Sequence, residues 1–199
     1  MANTLHFKII LIEAEPMIWR TFEVPDDYRM DRFHQVIQIV MGWRNCHLHE
    51  FRVGDRLIGM VDDMALDFTP QLEDEGKIYL RDLPLHEKQG YSYLYDFGDS
   101  WQHLLYLNMI SGRAIKDPVC RDGRGACPLE DSGGVWGYAN LLEILKNPEH
   151  PEHEEWIQWQ PKGFDPNHFP IREINKELKK FGAWNRKHPR KRSTPWHQI

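Results

Sequence analysis

The pattern of apolar and polar positions along the chain reads as strands first and helices last. Leu5-His6-Phe7-Lys8-Ile9 alternates and continues as the apolar run Ile10-Leu11-Ile12, which predicts a strand with one face well buried. Residues 17–24 predict a second strand, and Glu15-Pro16 a turn between the two. Met30, Phe33, Val36, Ile37, Val40 and Met41 then recur at helical spacing. This stretch predicts an amphipathic helix packed on the sheet, closed by Gly42 in the left-handed conformation. Residues 49–53 and 56–60, joined by Gly54-Asp55, predict a hairpin. The acidic stretch 61–76 predicts a loop, and residues 77–85 fit either a short strand or a helical turn. A second hairpin follows over residues 89–96 and 100–110, bent at Phe97-Gly98-Asp99.

Residues 117–134, with Pro118, Pro128 and several glycines, predict a long loop of the kind that is usually functional, ligand-stabilised or poorly ordered. Beyond it the apolar positions take up helical spacing. Val135, Tyr138, Leu142 and Leu145 form one stripe that Pro148 ends; residues 152–160 make a short helix carrying Trp156 and Trp159. Ile171, Ile174, Leu178 and Phe181 form a third, with Pro170 at its start and Gly182 beyond its end. The expected fold is α+β, an antiparallel or mixed sheet with one packed crossover helix and a helical C-terminal third. No internal repeat is present.

The length of 199 residues and the 41% hydrophobic content suit one large domain with a substantial core. A mean hydropathy of -0.64 and the lack of a long apolar run argue against a membrane protein. No secretory signal opens the chain, and three cysteines are an odd number, which points to reduced thiols and a cytoplasmic location. Charge is uneven. The stretch 186–199 has five Lys and Arg residues and no acid, leaving 20 basic against 30 acidic residues in the body. Hence the expected organisation is one domain over 1–185 and a basic, disordered tail over 186–199. Arg190, Lys191 and Arg192 in that tail are candidate contacts to nucleic acid or an acidic protein partner.

Three clusters carry candidate chemistry. In Tyr95-Asp96-Phe97-Gly98-Asp99-Ser100-Trp101-Gln102-His103, two carboxylates and an imidazole make Asp96, Asp99 and His103 candidate catalytic residues. Asp99 and His103 have the same strand parity, with Trp101 between them as a candidate binding residue. The plain structural reading is a hairpin in which Gly98 supplies a positive φ while Asp96 and Asp99 accept turn amides. The Asp-Phe-Gly triplet is not a kinase signature, because no glycine-rich loop or His-Arg-Asp motif accompanies it. In Cys46-His47-Leu48-His49, His47 and His49 would face one side of a strand and could share a metal; they could equally be ordinary residues at a helix-to-strand turn. Cys120 and Cys127 are too far apart for the usual zinc knuckle and need two further ligands. The metal candidates are therefore His47, His49, Asp99, His103, Cys120 and Cys127, with zinc the candidate cofactor. Glu130 and Asp131, ahead of Ser132-Gly133-Gly134, suit a cation or a basic group better than a phosphate.

Taken together and in order, these segments resemble the plasmid pRiA4b ORF-3-like family, also met as a TnpR-like passenger protein of insertion sequences. The resemblance rests on Met41-Gly42-Trp43 with His47-Leu48-His49-Glu50-Phe51, on Tyr95 to His103, on Cys127-Pro128-Leu129-Glu130-Asp131-Ser132-Gly133-Gly134 with Gly137-Tyr138, and on Phe164-Asp165-Pro166. Where the family pattern often has Cys, this chain has Ser132, which weakens a zinc site built on loop cysteines. The resemblance implies a compact α+β domain from microbes, often on mobile elements, and no established activity. The expected function is an accessory or regulatory module binding protein or nucleic acid in that setting. The alternative is a metal-dependent hydrolase using His47, His49, Asp96, Asp99 and His103.

Overall fold

A computed structural model describes residues 2–61, 71–160 and 163–189. Eight strands form one sheet: β1 (Thr4–Leu11), β2 (Trp19–Pro25), β3 (His49–Val53), β4 (Arg56–Gly59), β5 (Leu72–Asp74), β6 (Gln89–Tyr95), β7 (Trp101–Ser111) and β8 (Val119–Arg124). Their order is β5-β4-β3-β6-β7-β1-β2-β8. All neighbours are antiparallel except β4 and β5, so the fold is α+β with a mostly antiparallel sheet. The helices are α1 (Met30–Met41), α2 (Gly134–Lys146), α3 (His153–Trp159) and α4 (Ile171–Lys187). Through α1 the chain passes from β2 to β3, across the three strands β1, β7 and β6 that separate them.

The core lies between the sheet and α1. Phe7 pairs with Phe22 across β1 and β2. Phe33 of α1 packs on both, with ring centroids 5.1 Å from Phe7 and 6.1 Å from Phe22, and Phe51 of β3 stacks on Phe33 at 5.8 Å. Each of these rings removes a large apolar area from water, and together they tie the two halves of the sheet to one helix. Gly42 closes α1 in the left-handed region, with φ of 108°.

Two features depart from the periodicity. All twelve residues of α1 are buried, including Asp31, Arg32, His34, Gln35 and Gln38. An amphipathic pattern predicts one wet face, but α4 lies over it: the Arg32 guanidinium sits 4.3 Å from the Trp184 ring centroid, and Arg32 Nη2 donates to the His188 carbonyl at 3.2 Å. The second departure is Arg20 of β2, 1% exposed. Its Nε donates to Val40 O at 2.9 Å, Nη2 to Gly125 O at 2.8 Å, and Nη1 to Arg124 O at 2.7 Å and Trp19 O at 2.8 Å. One side chain thus caps the end of α1 and fastens the segment leaving β8. Burial lowers its pKa as the largest cause, against the nearby Cys127 and Cys120.

The interval expected to be a single loop over 117–134 contains β8, which pairs with β2 as an edge strand. Part of the expected loop over 61–76 forms β5; its residues 62–70 lie outside the described residues. Residues 80–82 form a single 3-10 turn. Arg186 and Lys187, at the head of the basic segment, belong to the last turn of α4, where Arg186 forms an ion pair with Asp117. Arg190, Lys191 and Arg192 lie outside the described residues. No described helix is long and apolar enough to cross a membrane.

Candidate metal centre

Three turns, distant in sequence, deliver one cluster. β6 ends at Tyr95, and the chain reverses through Asp96 at φ 59° and Ser100 at φ 56°. Gly98, which the motif suggested for the positive φ, does not take it. Aspartate tolerates that region because its short carboxylate satisfies local amides. Here Asp96 Oδ1 accepts the Gly98 N–H at 2.9 Å, and Asp96 O accepts the Ser100 N–H at 2.6 Å. The Asp96 N–H donates to Leu48 O at 2.8 Å, which joins this turn to the segment carrying His47.

The third turn, residues 130–134, leads into α2. A Cβ on Gly134 would stand 2.5 Å from the Asp99 carbonyl oxygen, and one on Gly137 would stand 1.9 Å from Ser132 O. Glycine at 134 lets the start of α2 press this closely on the 96–100 turn, and glycine at 137 lets the 130–134 turn fold tightly onto the helix. Asp99 Oδ2 fastens the approach by accepting the Gly133 N–H at 3.1 Å.

The result is a ring of carboxylates around one imidazole. His47 Nε2 lies 3.3 Å from Asp131 Oδ1, 3.6 Å from Asp96 Oδ2 and 3.7 Å from Glu130 Oε2. The Asp96 and Glu130 side chains are largely buried, whereas that of Asp131 is 71% exposed and opens the cluster to solvent. Although buried, His47 Nε2 and Glu130 Oε2 have no hydrogen-bond partner among the described residues. Leaving such an atom unpaired costs about 1–3 kcal/mol, so each aims at something that would satisfy it. Glu130 Oε1 is held by the Arg44 N–H at 2.7 Å and the Tyr95 hydroxyl at 3.1 Å. Burial raises the Glu130 carboxyl above the ordinary carboxylate value, against those two bonds and the nearby His47.

This spacing suits a cation. Two ligand atoms, each about 2.1 Å from one ion and separated by about 90–110°, stand about 3.0–3.4 Å apart. His47, Asp96 and Asp131 each offer an atom within 4.8 Å of the others, and they are the one such group among the described residues. One imidazole with two carboxylates fits zinc or manganese better than a thiolate-seeking metal.

The other candidates go elsewhere. His49 is buried in the core, where its ring stacks on His34 and its Nε2 donates to Glu75 Oε2 at 2.7 Å. His103 and Trp101 are fully buried on the face that α1 covers. Trp101 packs on Trp43 at 5.1 Å and His103 on Tyr93 at 5.3 Å, so neither reaches the cluster. The burial of His103 pushes its pKa down to about 4 and keeps it neutral. Asp99 and His103 do share a strand parity, but Asp99 belongs to the turn, half-buried against Gly133, and plays a structural part. Burial raises the Cys120 thiol to about 11 and holds that of Cys127 well above its ordinary value. Cys120 Sγ donates to Asp122 O at 3.8 Å, and neither cysteine joins a metal-ligating group among the described residues.

What the sequence pattern leaves unlinked is the joining of His47 and Asp96 with Glu130 and Asp131. The available signal is that three of the four resemblance-bearing segments contribute a polar residue beside a turn.

The chain belongs to the plasmid pRiA4b ORF-3-like protein family, whose sequence pattern matches residues 3–173. It is 33% identical over 203 residues to the uncharacterized protein y4hQ of Sinorhizobium fredii, covering 96% of this chain and 99% of that protein. The crystal structure of a protein of unknown function from Methanosarcina mazei Go1 is similar at a TM-score of 0.78 and 37% identity, covering 87% of this chain and 98% of that one.

Proposed function

We propose that this pRiA4b ORF-3-like protein is a metal-dependent hydrolase whose divalent cation, zinc or manganese, is held by His47, Asp96 and Asp131. The observation that carries the reading is the buried, unpartnered His47 Nε2 with three carboxylate oxygens between 3.3 and 3.7 Å from it. A cation there satisfies the imidazole and offsets the repulsion among the carboxylates. Glu130 has a separate task. With Oε1 fixed by Arg44 and Tyr95, its Oε2 would serve as general base, and a cation held by His47, Asp96 and Asp131 would supply activation of water. Elemental analysis of protein purified without a metal-affinity tag tests the reading. The expected result is about one equivalent of zinc or manganese, lost in His47→Ala. Metal-free protein that also fails to take up either ion would overturn it.

A second reading, an accessory binding module of a mobile element, is favoured by Trp136, 79% exposed on α2, and by Phe97, 52% exposed on the neighbouring turn. Exposed rings of this kind stack on unpaired bases. In that reading Trp136→Ala abolishes a salt-sensitive gel shift with single-stranded nucleic acid; no shift in the unaltered protein excludes it.

A further inference from the structure

Resting on the metal centre proposed above, we infer that the cleft beside it binds a small oxyanion carried on a flat apolar body, with its oxygens shared between the cation and Arg44. The cleft has a volume of about 650 Å3, within the range of small-molecule sites. Glu130 and Asp131 form one part of its wall, so the cluster borders the cleft through these two carboxylates. Arg44 lines the same wall. Its backbone N–H holds Glu130, while its exposed side chain makes no ion pair among the described residues. Arg20, also in the lining, has its donors committed to backbone carbonyls. Arg44 is therefore the arginine left to meet a ligand, and a guanidinium is the side chain best shaped for a planar or tetrahedral oxyanion.

The far side of the cleft is aromatic. Trp159 and Phe164 line it, and Trp159 remains 46% exposed at the end of α3, a short helix with no buried residue. A flat ligand body covers such a ring at little entropic cost. The carboxylates impose a condition. Without a cation, Glu130 and Asp131 repel an anion; with one, the same corner attracts it. Binding of the oxyanion is thus conditional on the metal, which a simple basic patch would not require.

Calorimetry on the full chain separates the steps, with manganese titrated first, then phenyl phosphate or benzoate into metal-free and manganese-loaded protein. Manganese is expected to tighten binding of one or both probes by about tenfold or more. The preferred probe identifies the oxyanion as phosphate or carboxylate. Arg44→Ala, which keeps the backbone N–H to Glu130, is expected to bind manganese as before and to lose about tenfold in probe affinity. Trp159→Ala should weaken phenyl phosphate more than inorganic phosphate. If manganese binds but both probes ignore the metal and Arg44, this inference is wrong and the metal centre stands. If manganese does not bind, both fall together.

Discussion

His34 of α1 and His49 of β3 stack face to face in the core, with ring centroids 3.4 Å apart and planes 5° from parallel. The contact requires at least one of the rings to be uncharged, and the hydrogen bonds say which. His34 Nε2 lies 2.7 Å from Asn45 Oδ1, an acceptor, so it carries the proton; Nδ1 then accepts from the Tyr93 hydroxyl at 2.9 Å. Gln38 Nε2 donates to the same hydroxyl at 2.9 Å, and Gln38 Oε1 accepts the Asn45 N–H at 2.8 Å. The network closes only around a neutral His34, whose pKa burial pushes down to about 3.

Stability should therefore fall as the solution is acidified. His34, pushed to about 3, and His103, pushed to about 4, stay neutral in the folded protein, while an unfolded histidine protonates near about 6.5. Below about 6.5 the unfolded state binds more protons, so each histidine costs up to about 1.4 kcal/mol per pH unit until its folded pKa is reached. Burial likewise pushes the His49 pKa down to about 3, against the nearby Asp31, so it adds to the same loss. Urea unfolding at pH 7.5, 6 and 5 checks this; equal midpoints at all three would refute it.

Metal binding should raise the melting temperature. At a free ion concentration about 100 times Kd, a ligand specific to the folded state contributes about 2.7 kcal/mol, or about 5–10 °C for a chain of this size. His47→Ala and Asp131→Asn should abolish that rise while leaving the metal-free melting temperature within about 2 °C. The affinity should also weaken at low pH, because the imidazole must be neutral to coordinate. Differential scanning with and without manganese reads both effects. A rise that survives in both variants would move the site elsewhere.

Arg20→Met should be among the most damaging single substitutions, at about 3 kcal/mol or more. It keeps the apolar stem but leaves the carbonyls of Val40, Arg124 and Gly125 without this donor. Denaturant titration measures it. A loss below about 1 kcal/mol would mean that water replaces the guanidinium.

The basic segment should divide into two parts. Deleting residues 190–199 removes Pro195 and a run of charge and is expected to leave the melting temperature nearly unchanged. Deleting 186–199 also removes the Arg186–Asp117 pair and the His188 carbonyl that accepts from the buried Arg32, and should cost about 1–3 kcal/mol. Thermal melts of the two truncations, run side by side, decide the matter; identical melts would show that Arg32 finds other partners.

Local rules were enough for α1, from Met30 to the left-handed Gly42, and for the β3–β4 and β6–β7 hairpins, because apolar periodicity and turn residues act within a few positions of each other. They could not reveal β8: Val119–Arg124 does not alternate and is a strand because β2 offers it an open edge. Nor could they reveal that the polar side of α1 is buried, since that depends on α4, more than a hundred residues later, closing over Arg32. The cluster shows the limit most clearly. His47 and His49 share a motif but part company, one toward the carboxylates and the other under α1, according to what the neighbouring elements pack against them. His47, Asp96, Glu130 and Asp131 were each visible as polar residues beside turns; their convergence depends on sheet order and on the glycine at 134 that lets α2 approach. Spacing along a chain determines which face a side chain takes, whereas tertiary packing decides what stands opposite it.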